Sequence, residues 1–139
     1  MIVAVDTNVI IDMVTGDTTF GIESKRLLAQ AFDSGSLVIC ELVYAELVPQ
    51  FDAREALETA LDAMGATLAE AGPDVAWLAG QKIAEYRAAG GSRQRVMADF
   101  FIGAHAVLRA DCLLTRDRGF FATYFPELRM FGAEERTQP

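Results

Sequence analysis

Short apolar runs recur along the chain, and they are the feature that most restricts its fold. Three of them, residues 2–5, 37–40 and 112–115, lack alternating polar residues. Unbroken apolar runs of this length are typical of strands that are buried on both faces of a sheet. Two further candidate strands are residues 66–69 and 128–131.

Helical spacing of apolar residues fills the segments between these runs, and glycine or proline ends most of them. Strands that alternate with helices predict an α/β protein, here a three-layer α/β/α sandwich around a mostly parallel sheet. We expect a single domain over residues 1–133 and a polar C-terminal tail over residues 134–139. The predicted helices are residues 9–14, 21–34, 41–48, 53–64, 73–89, 95–109 and 118–123.

Composition agrees with a soluble globular domain, because 52% of the 139 residues are apolar and 23% are charged. No basic segment precedes a long apolar stretch at the N-terminus, and no apolar run approaches the length of a bilayer span. We therefore expect a cytoplasmic protein without membrane contact. Cys40 and Cys112 have no metal-binding spacing and are expected to be buried, reduced thiols.

Acidic residues follow two of the predicted strands. Asp6 directly follows the run 2–5, and Asp117 lies two residues after the run 112–115. Helix capping explains either residue alone, since aspartate is a favoured N-cap. Ligands of parallel sheets collect at the carboxyl ends of the strands, near a change of strand order. Two such acids at one edge therefore favour a binding site over two independent caps.

Asp99 is a third candidate, because its sequence neighbours Phe100 and Phe101 are apolar. An ion pair with Arg95, four residues earlier on the helix, is the alternative interpretation. Gly103, four residues later, is expected to leave open space on the same helix face for an ion or a phosphate.

Glu46 lies on a helix that is apolar on most sides. The helical pattern alone favours a solvated position for it. Glu41 competes for the same role, but it lies at the start of the helix, where a carboxylate suits the helix dipole.

Converging carboxylates raise one another's pKa unless a cation lies among them. Oxygen ligands from aspartate and glutamate select hard ions such as Mg²⁺ or Mn²⁺. A bound ion of this kind activates water and stabilises charge on phosphate oxygens, so the chemistry indicated is phosphodiester hydrolysis.

Four segments together resemble the PIN-domain ribonucleases of the VapC toxin type. They are residues 3–12 (VAVDTNVIID), 44–47 (YAEL), 93–106, which include ADFFIGAHA, and 113–120 (LLTRDRGF). They occur in the order of the family and span nearly the whole chain. The resemblance implies a PIN-like α/β/α sandwich and endonucleolytic cleavage of RNA with Mg²⁺ or Mn²⁺. It also implies a cognate antitoxin that blocks the site, and a homodimer.

Carried over by position, the family's metal-binding and catalytic acids correspond to Asp6, Glu46, Asp99 and Asp117. Asn8 and Thr115 correspond to polar residues that line the site and contact substrate. A contribution from Glu41 or Asp12 stays open, although a solvated position is the preferred interpretation of Asp12.

The net charge of −8 argues against a nucleic-acid partner when taken alone. Arg93, Arg95 and Arg116 are nevertheless candidate phosphate contacts near the acids, unless they form salt bridges with them. An acidic surface is also compatible with a bound cation and with a basic protein partner.

Other chemistries have weaker support. His105, the single histidine, lies off the Asp99 face of its helix and is interpreted as structural or exposed. A small phosphatase with Asp6 as nucleophile is an alternative, although Asn8 replaces the second acid that such enzymes carry. A non-catalytic PIN-like module that binds a partner or acts as a scaffold is the other alternative.

Overall fold

A parallel sheet lies at the centre of the computed structural model, which describes residues 1–92 and 97–132. Within this part of the chain the sheet has four strands in the order β3-β2-β1-β4, and all neighbouring pairs are parallel. The predicted parallel sheet is therefore confirmed, including β3 at the candidate strand 66–69. The strands are β1 (Ile2–Val5), β2 (Ser36–Ile39), β3 (Ala66–Leu68) and β4 (Cys112–Leu114).

Helices cover the sheet and give the predicted α/β/α arrangement. A short 3₁₀ helix, Val48–Gln50, follows the third of them, because Pro49 prevents the α-helix from continuing. The α-helices in the described ranges are α1 (Thr7–Thr15), α2 (Gly21–Ser34), α3 (Glu41–Leu47), α4 (Arg54–Met64), α5 (Gly72–Ala88), α6 (Met97–Arg109) and α7 (Arg118–Tyr124).

The prediction of a fifth strand over residues 128–131 is wrong. This segment touches β4 at one isolated bridge, between Leu113 and Met130. Two backbone hydrogen bonds flank the bridge, and both use Leu113. The chain then turns at Gly132, where φ is 82°. Pairing around one residue is too short to form a regular strand.

Helix ends follow the predicted signals with small shifts. Gly16 and Gly65 adopt left-handed conformations and end α1 and α4 as expected. α1 begins at Thr7, two residues earlier than predicted, because the Asp6 side chain caps it.

Strand order places a switch point beside β1. The chain builds from β1 to β2 and β3 in one direction and then returns to place β4 on the other side of β1. Helix α6 packs against both β1 and β4 at this position. The carboxyl ends of β1 and β4 are therefore where the rule for parallel sheets locates a binding site.

Two expectations from composition can be compared with the structure. Cys40 and Cys112 are both buried and form no disulfide. In the described ranges, no helix is both long enough and apolar enough to cross a membrane.

Candidate active site

Asp6 lies at the switch point, directly after β1, and only 5% of it is exposed. Its Oδ1 accepts a hydrogen bond from the Thr7 backbone N–H at 2.7 Å. Its Oδ2 accepts from the Thr115 hydroxyl at 2.8 Å and from the Asn8 amide at 3.3 Å. Capping explains the first contact but not the other two, which come from Thr115, directly after β4, and from Asn8 in the first turn of α1.

Burial raises the pKa of the Asp6 carboxyl from 3.8 to about 6. Hydrogen bonds from Thr115 and Thr7 act in the opposite direction, while the charges of Asp99 and Glu46 raise the pKa further. Asp99 and Glu46 therefore both lie within electrostatic reach of Asp6. A cation near them would offset both the burial and the repulsion.

Glu46 reaches this region from α3. Its side chain is exposed, as the helical pattern indicated, yet its Oε1 accepts a hydrogen bond from the Thr7 hydroxyl at 2.7 Å. Thr7 also donates its backbone N–H to Asp6. It thus links two predicted acids, a role that the sequence analysis missed. Its position between Asp6 and Asn8 is the sequence feature that could have predicted this role.

Asp99 is half-buried in the first turn of α6. Its proposed ion-pair partner Arg95 lies outside the described residues, as does Arg93. The prediction of open space at Gly103 is wrong, because the Phe125 ring packs there. A Cβ atom added to Gly103 would lie 2.5 Å from a carbon of that ring.

Asp117 occupies the N-cap position of α7, but its side chain makes no capping hydrogen bond there. Capping therefore does not explain this acid. Its backbone N–H donates to the Thr115 hydroxyl oxygen at 3.0 Å. Since the same hydroxyl donates to Asp6, Thr115 connects Asp117 to the buried carboxylate.

Asn8 and Arg116 are also brought together. The Asn8 Oδ1 accepts the Arg116 backbone N–H at 3.2 Å, which turns its amide nitrogen toward Asp6. The Arg116 guanidinium binds both oxygens of Asp12 at 2.9 and 3.1 Å. The interpretation of Asp12 as a solvated residue is wrong, since it is 3% exposed and also accepts a hydrogen bond from Ser24 of α2.

Glu41 and His105 have contacts elsewhere. The Glu41 carboxylate accepts the Ala71 backbone N–H at 3.3 Å, in the loop after β3. His105 is buried, with Nε2 2.6 Å from the Ala69 carbonyl oxygen. Burial lowers the pKa of His105, although the contact with Ala69 opposes this effect. The structural interpretation of His105 is confirmed.

The donor chemistry of this region fits a hard divalent cation. Carboxylate, amide and hydroxyl oxygens are available, which favours Mg²⁺ or Mn²⁺ over softer metals. Across residues 1–92 and 97–132, however, no three acidic, histidine or cysteine side chains are already arranged as a metal-ligand group. An ion would therefore need to draw the carboxylates closer together. The side chains that could supply ligands are those of Asp6, Glu46, Asp99, Asp117, Asn8 and Thr115.

The geometry argues against Asp6 as a phosphatase nucleophile. A nucleophilic carboxylate must present an oxygen to the phosphorus atom. Both Asp6 oxygens accept hydrogen bonds, and the residue is almost fully buried.

A groove of about 840 Å³ runs along α3, α4 and β3 on a different part of the surface. Its apolar lining includes Phe51, Leu57 and Leu68, and its lining acids outnumber the bases by four to one. The charged lining residues are Glu41, Asp52, Glu58, Asp62 and Arg54.

Solved structures from several bacteria share this fold. The VapBC2 complex of Rickettsia felis, bound to promoter DNA, contains a chain with a TM-score of 0.68 and 21% identity; the match covers 94% of this chain and 97% of that one. The VapBC-1 complex of nontypeable Haemophilus influenzae gives a TM-score of 0.71 and 20% identity, with 94% and 96% covered. FitAcB of Neisseria gonorrhoeae gives 0.61 and 19%, with 94% and 96% covered.

Among curated proteins, no sequence matches this chain significantly. The family model described as the PIN domain matches residues 3–126, which contain all four predicted acids. The chain therefore belongs to the PIN-domain family.

Proposed function

We propose that the chain is a metal-dependent endoribonuclease, the toxin of a VapBC-type toxin–antitoxin pair. The observation that carries the proposal is the environment of Asp6. Its buried carboxyl group has a pKa of about 6 and lies within electrostatic reach of Asp99 and Glu46, at the switch point of a PIN fold. A buried acid beside other acids lowers the stability of the fold, so its presence is typical of a functional site.

In this proposal Asp6, Glu46, Asp99 and Asp117 hold Mg²⁺ or Mn²⁺ and form the catalytic centre. The bound ion would supply an activated water and would stabilise negative charge on the phosphate. Thr7, Asn8 and Thr115 orient the Asp6 carboxylate through hydrogen bonds.

The proposed substrate is RNA. Asn8 and Thr115 present polar groups beside Asp6 and are proposed to line the substrate site. Arg93 and Arg95, just before α6 in the sequence, are proposed phosphate contacts. The resemblance of the chain's four sequence segments to PIN-domain ribonucleases supports RNA over other phosphodiesters.

Cleavage of a fluorescent single-stranded RNA with Mg²⁺ or Mn²⁺ tests the activity. We expect cleavage that a chelator abolishes, and a loss of about 100-fold or more in Asp6→Asn and Asp99→Asn. Asp33→Asn, an exposed aspartate of α2, is the matched control and should cleave like the wild type. Equal cleavage by all four proteins would overturn the proposal.

A non-catalytic binding module of the same fold is the alternative, and the lack of a ready metal-ligand group in the described residues favours it. Calorimetry with Mn²⁺ separates the two functions. Binding that Asp6→Asn removes supports the nuclease. A correctly folded protein that binds no Mn²⁺ supports the binding module.

We further propose that a cognate antitoxin binds the groove along α3, α4 and β3. The groove has an apolar floor, and its lining is mostly acidic, so it complements an amphipathic helix with basic residues. The net charge of −8 favours a basic partner in general.

Binding of a basic amphipathic helical peptide tests the assignment. Leu68 lines the groove and is 46% exposed, whereas Leu108 of α6 is 42% exposed and is not among its lining residues. Leu68→Lys should weaken binding by about tenfold or more, because a charge replaces apolar contact. Leu108→Lys is the matched control. Equal weakening of binding by both variants would contradict the groove as the binding site.

We also propose a cytoplasmic homodimer. Trp77 of α5, the single tryptophan, is 72% exposed and offers a large apolar side chain to a second copy. Light scattering should give twice the chain mass, and Trp77→Lys should shift it toward the monomer. A monomeric wild type across the micromolar range would contradict the dimer.

A further inference from the structure

Asp12 of α1 is a buried acid that the proposed reaction does not use. Its oxygens accept hydrogen bonds from Nε and Nη2 of Arg116 at 2.9 and 3.1 Å. The Ser24 hydroxyl donates to the same carboxylate at 3.0 Å. A bidentate pair fixes the plane of the guanidinium as well as its distance. The contact therefore ties the segment after β4 to α1.

Arg116 is restrained on a second side by Phe20. Its guanidinium lies over the Phe20 ring, 4.2 Å from the centroid. Phe20 in turn donates its backbone N–H to Asp17 at 2.7 Å, which orders the turn before α2. Carboxylate and ring thus hold the guanidinium in one place.

The backbone of Arg116 belongs to the network around Asp6. Its N–H donates to Asn8, which donates to Asp6. The residues on either side, Thr115 and Asp117, are joined by a hydrogen bond of 3.0 Å. Any contact that fixes Arg116 therefore also restrains both neighbours and the Asn8 amide.

We propose that Asp12 and Arg116 are positioning residues, which hold residues 115–117 against α1 and so set where Asp117 and Asn8 lie relative to Asp6. The inference rests on the proposed function, since it treats Asp117 as a metal-binding acid. It replaces the sequence-based assignment of Arg116 to substrate binding, because the guanidinium is already engaged by a buried carboxylate.

The two roles of Arg116 predict opposite effects of Asp12→Asn. If Arg116 contacted the phosphate, removal of Asp12 would release a cation for RNA and lower KM. If the pair positions the segment, its loss should lower kcat and weaken Mn²⁺ binding, with KM unchanged or raised, because Asn8 and Thr115 also line the proposed substrate site. Arg116→Lys also separates the roles, because lysine keeps the charge but not the bidentate, stacked geometry.

We would measure Mn²⁺ binding by calorimetry, together with kcat and KM for a single-stranded RNA. Asp12→Asn and Arg116→Lys should each weaken Mn²⁺ binding and lower kcat by about tenfold, the usual effect of removing a residue that orients metal ligands. Asp74→Asn is the matched control, because Asp74 forms a bidentate pair with Arg109 at the far end of α6 from Asp99. It should leave both quantities unchanged. A lowered KM, or unchanged Mn²⁺ affinity and kcat, in Asp12→Asn would overturn the proposal.

Hydrogen exchange of the metal-free protein separates this inference from the proposed function. The backbone amides of Arg116 and Asp117 are hydrogen-bonded to Asn8 and Thr115. Their exchange should accelerate by about tenfold in Asp12→Asn at matched global stability, even if the wild type neither binds metal nor cleaves RNA. Unchanged exchange would overturn the positioning role. If Asp12→Asn does not fold, Ser24→Ala provides a milder variant, which removes one bond to Asp12 but keeps the ion pair, and its exchange should be faster than that of the wild type.

Discussion

At the scale of single residues, the balance between burial and hydrogen bonding at Asp6 controls the site. Hydrogen bonds from Thr115 and Thr7 favour the ionised carboxylate, but burial, together with the charges of Asp99 and Glu46, outweighs them and leaves the pKa at about 6. The residue therefore changes its charge within the range where a divalent ion would compete with the proton. This competition connects metal binding to both pH and stability.

The first prediction concerns the pH dependence of stability in chelator. The pKa of Asp6 is 3.8 unfolded and about 6 folded, so the folded state binds the proton more tightly. The stabilisation from the protonated form is full below about pH 4 and is lost as the pH rises through about 6, a loss of about 3 kcal/mol. Denaturation of the wild type and Asp6→Asn across this range should show a widening difference in favour of Asp6→Asn. A constant difference would contradict the raised pKa.

The second prediction concerns Thr115, whose hydroxyl donates to Asp6 and accepts from Asp117. Thr115→Val keeps the shape but removes both bonds, so the free energy of unfolding should fall by about 1–3 kcal/mol. The pKa of Asp6 should also rise, since the Thr115 bond lowers it. Urea denaturation and a carboxyl titration by NMR measure the two effects. Thr67→Val on β3 is the control, and a loss there as large as at Thr115 would count against the network.

At the scale of elements, α6 combines a functional end with a tightly packed middle. Asp99 lies in its first turn, while Gly103 faces the Phe125 ring one turn later. The close approach of this ring fixes how α6 lies against the residue that ends α7. The glycine that was expected to provide space for a ligand instead provides space for packing.

The third prediction compares two helical glycines. Gly103→Ala would place a methyl group 2.5 Å from the Phe125 ring, and such overpacking costs about 1–3 kcal/mol. Gly80→Ala on α5 meets no atom within 4 Å and should stabilise by about 1 kcal/mol, because alanine is the better helix former. Chemical denaturation should therefore give changes of opposite sign. Stabilisation by both variants would show that Phe125 moves aside easily.

At the scale of the whole molecule, strand order brings distant acids together. Asp6 follows β1, Thr115 follows β4, and Glu46 and Asp99 arrive on helices that pack around them. A cation bound there would connect elements from both halves of the chain. It should therefore stabilise the fold as a whole and not only one loop.

The fourth prediction is a rise in Tm with Mn²⁺. At about 100 times the dissociation constant, binding to the folded state alone adds about 2.7 kcal/mol, which corresponds to about 5–10 °C for a chain of this size. The shift should be smaller at pH 5 than at pH 8, because protons compete for Asp6. Calorimetric scans of Asp6→Asn should show no shift, whereas Asp33→Asn should follow the wild type. An equal shift in Asp6→Asn would locate the metal elsewhere.

The sequence alone was enough to predict the parallel sheet and most of the helix ends. Unbroken apolar runs indicate burial on both faces of a strand, and glycines at helix ends indicate local backbone geometry, so both signals depend only on nearby residues. The positions of Asp6 and Asp117 after strands could be predicted for the same reason, because they follow from the order of residues along the chain. The PIN-domain match to residues 3–126 agrees with this local pattern.

Only the tertiary structure decided which side chains meet. Thr7 joins Glu46 across 39 positions, and Arg116 joins Asp12 across 104. Helical periodicity predicted a solvated face for Asp12 because the pattern contains no information on α2, which covers that face. It predicted space for a ligand at Gly103 because it contains no information on Phe125. Such contacts depend on how elements pack in three dimensions, and no pattern within one element contains that information.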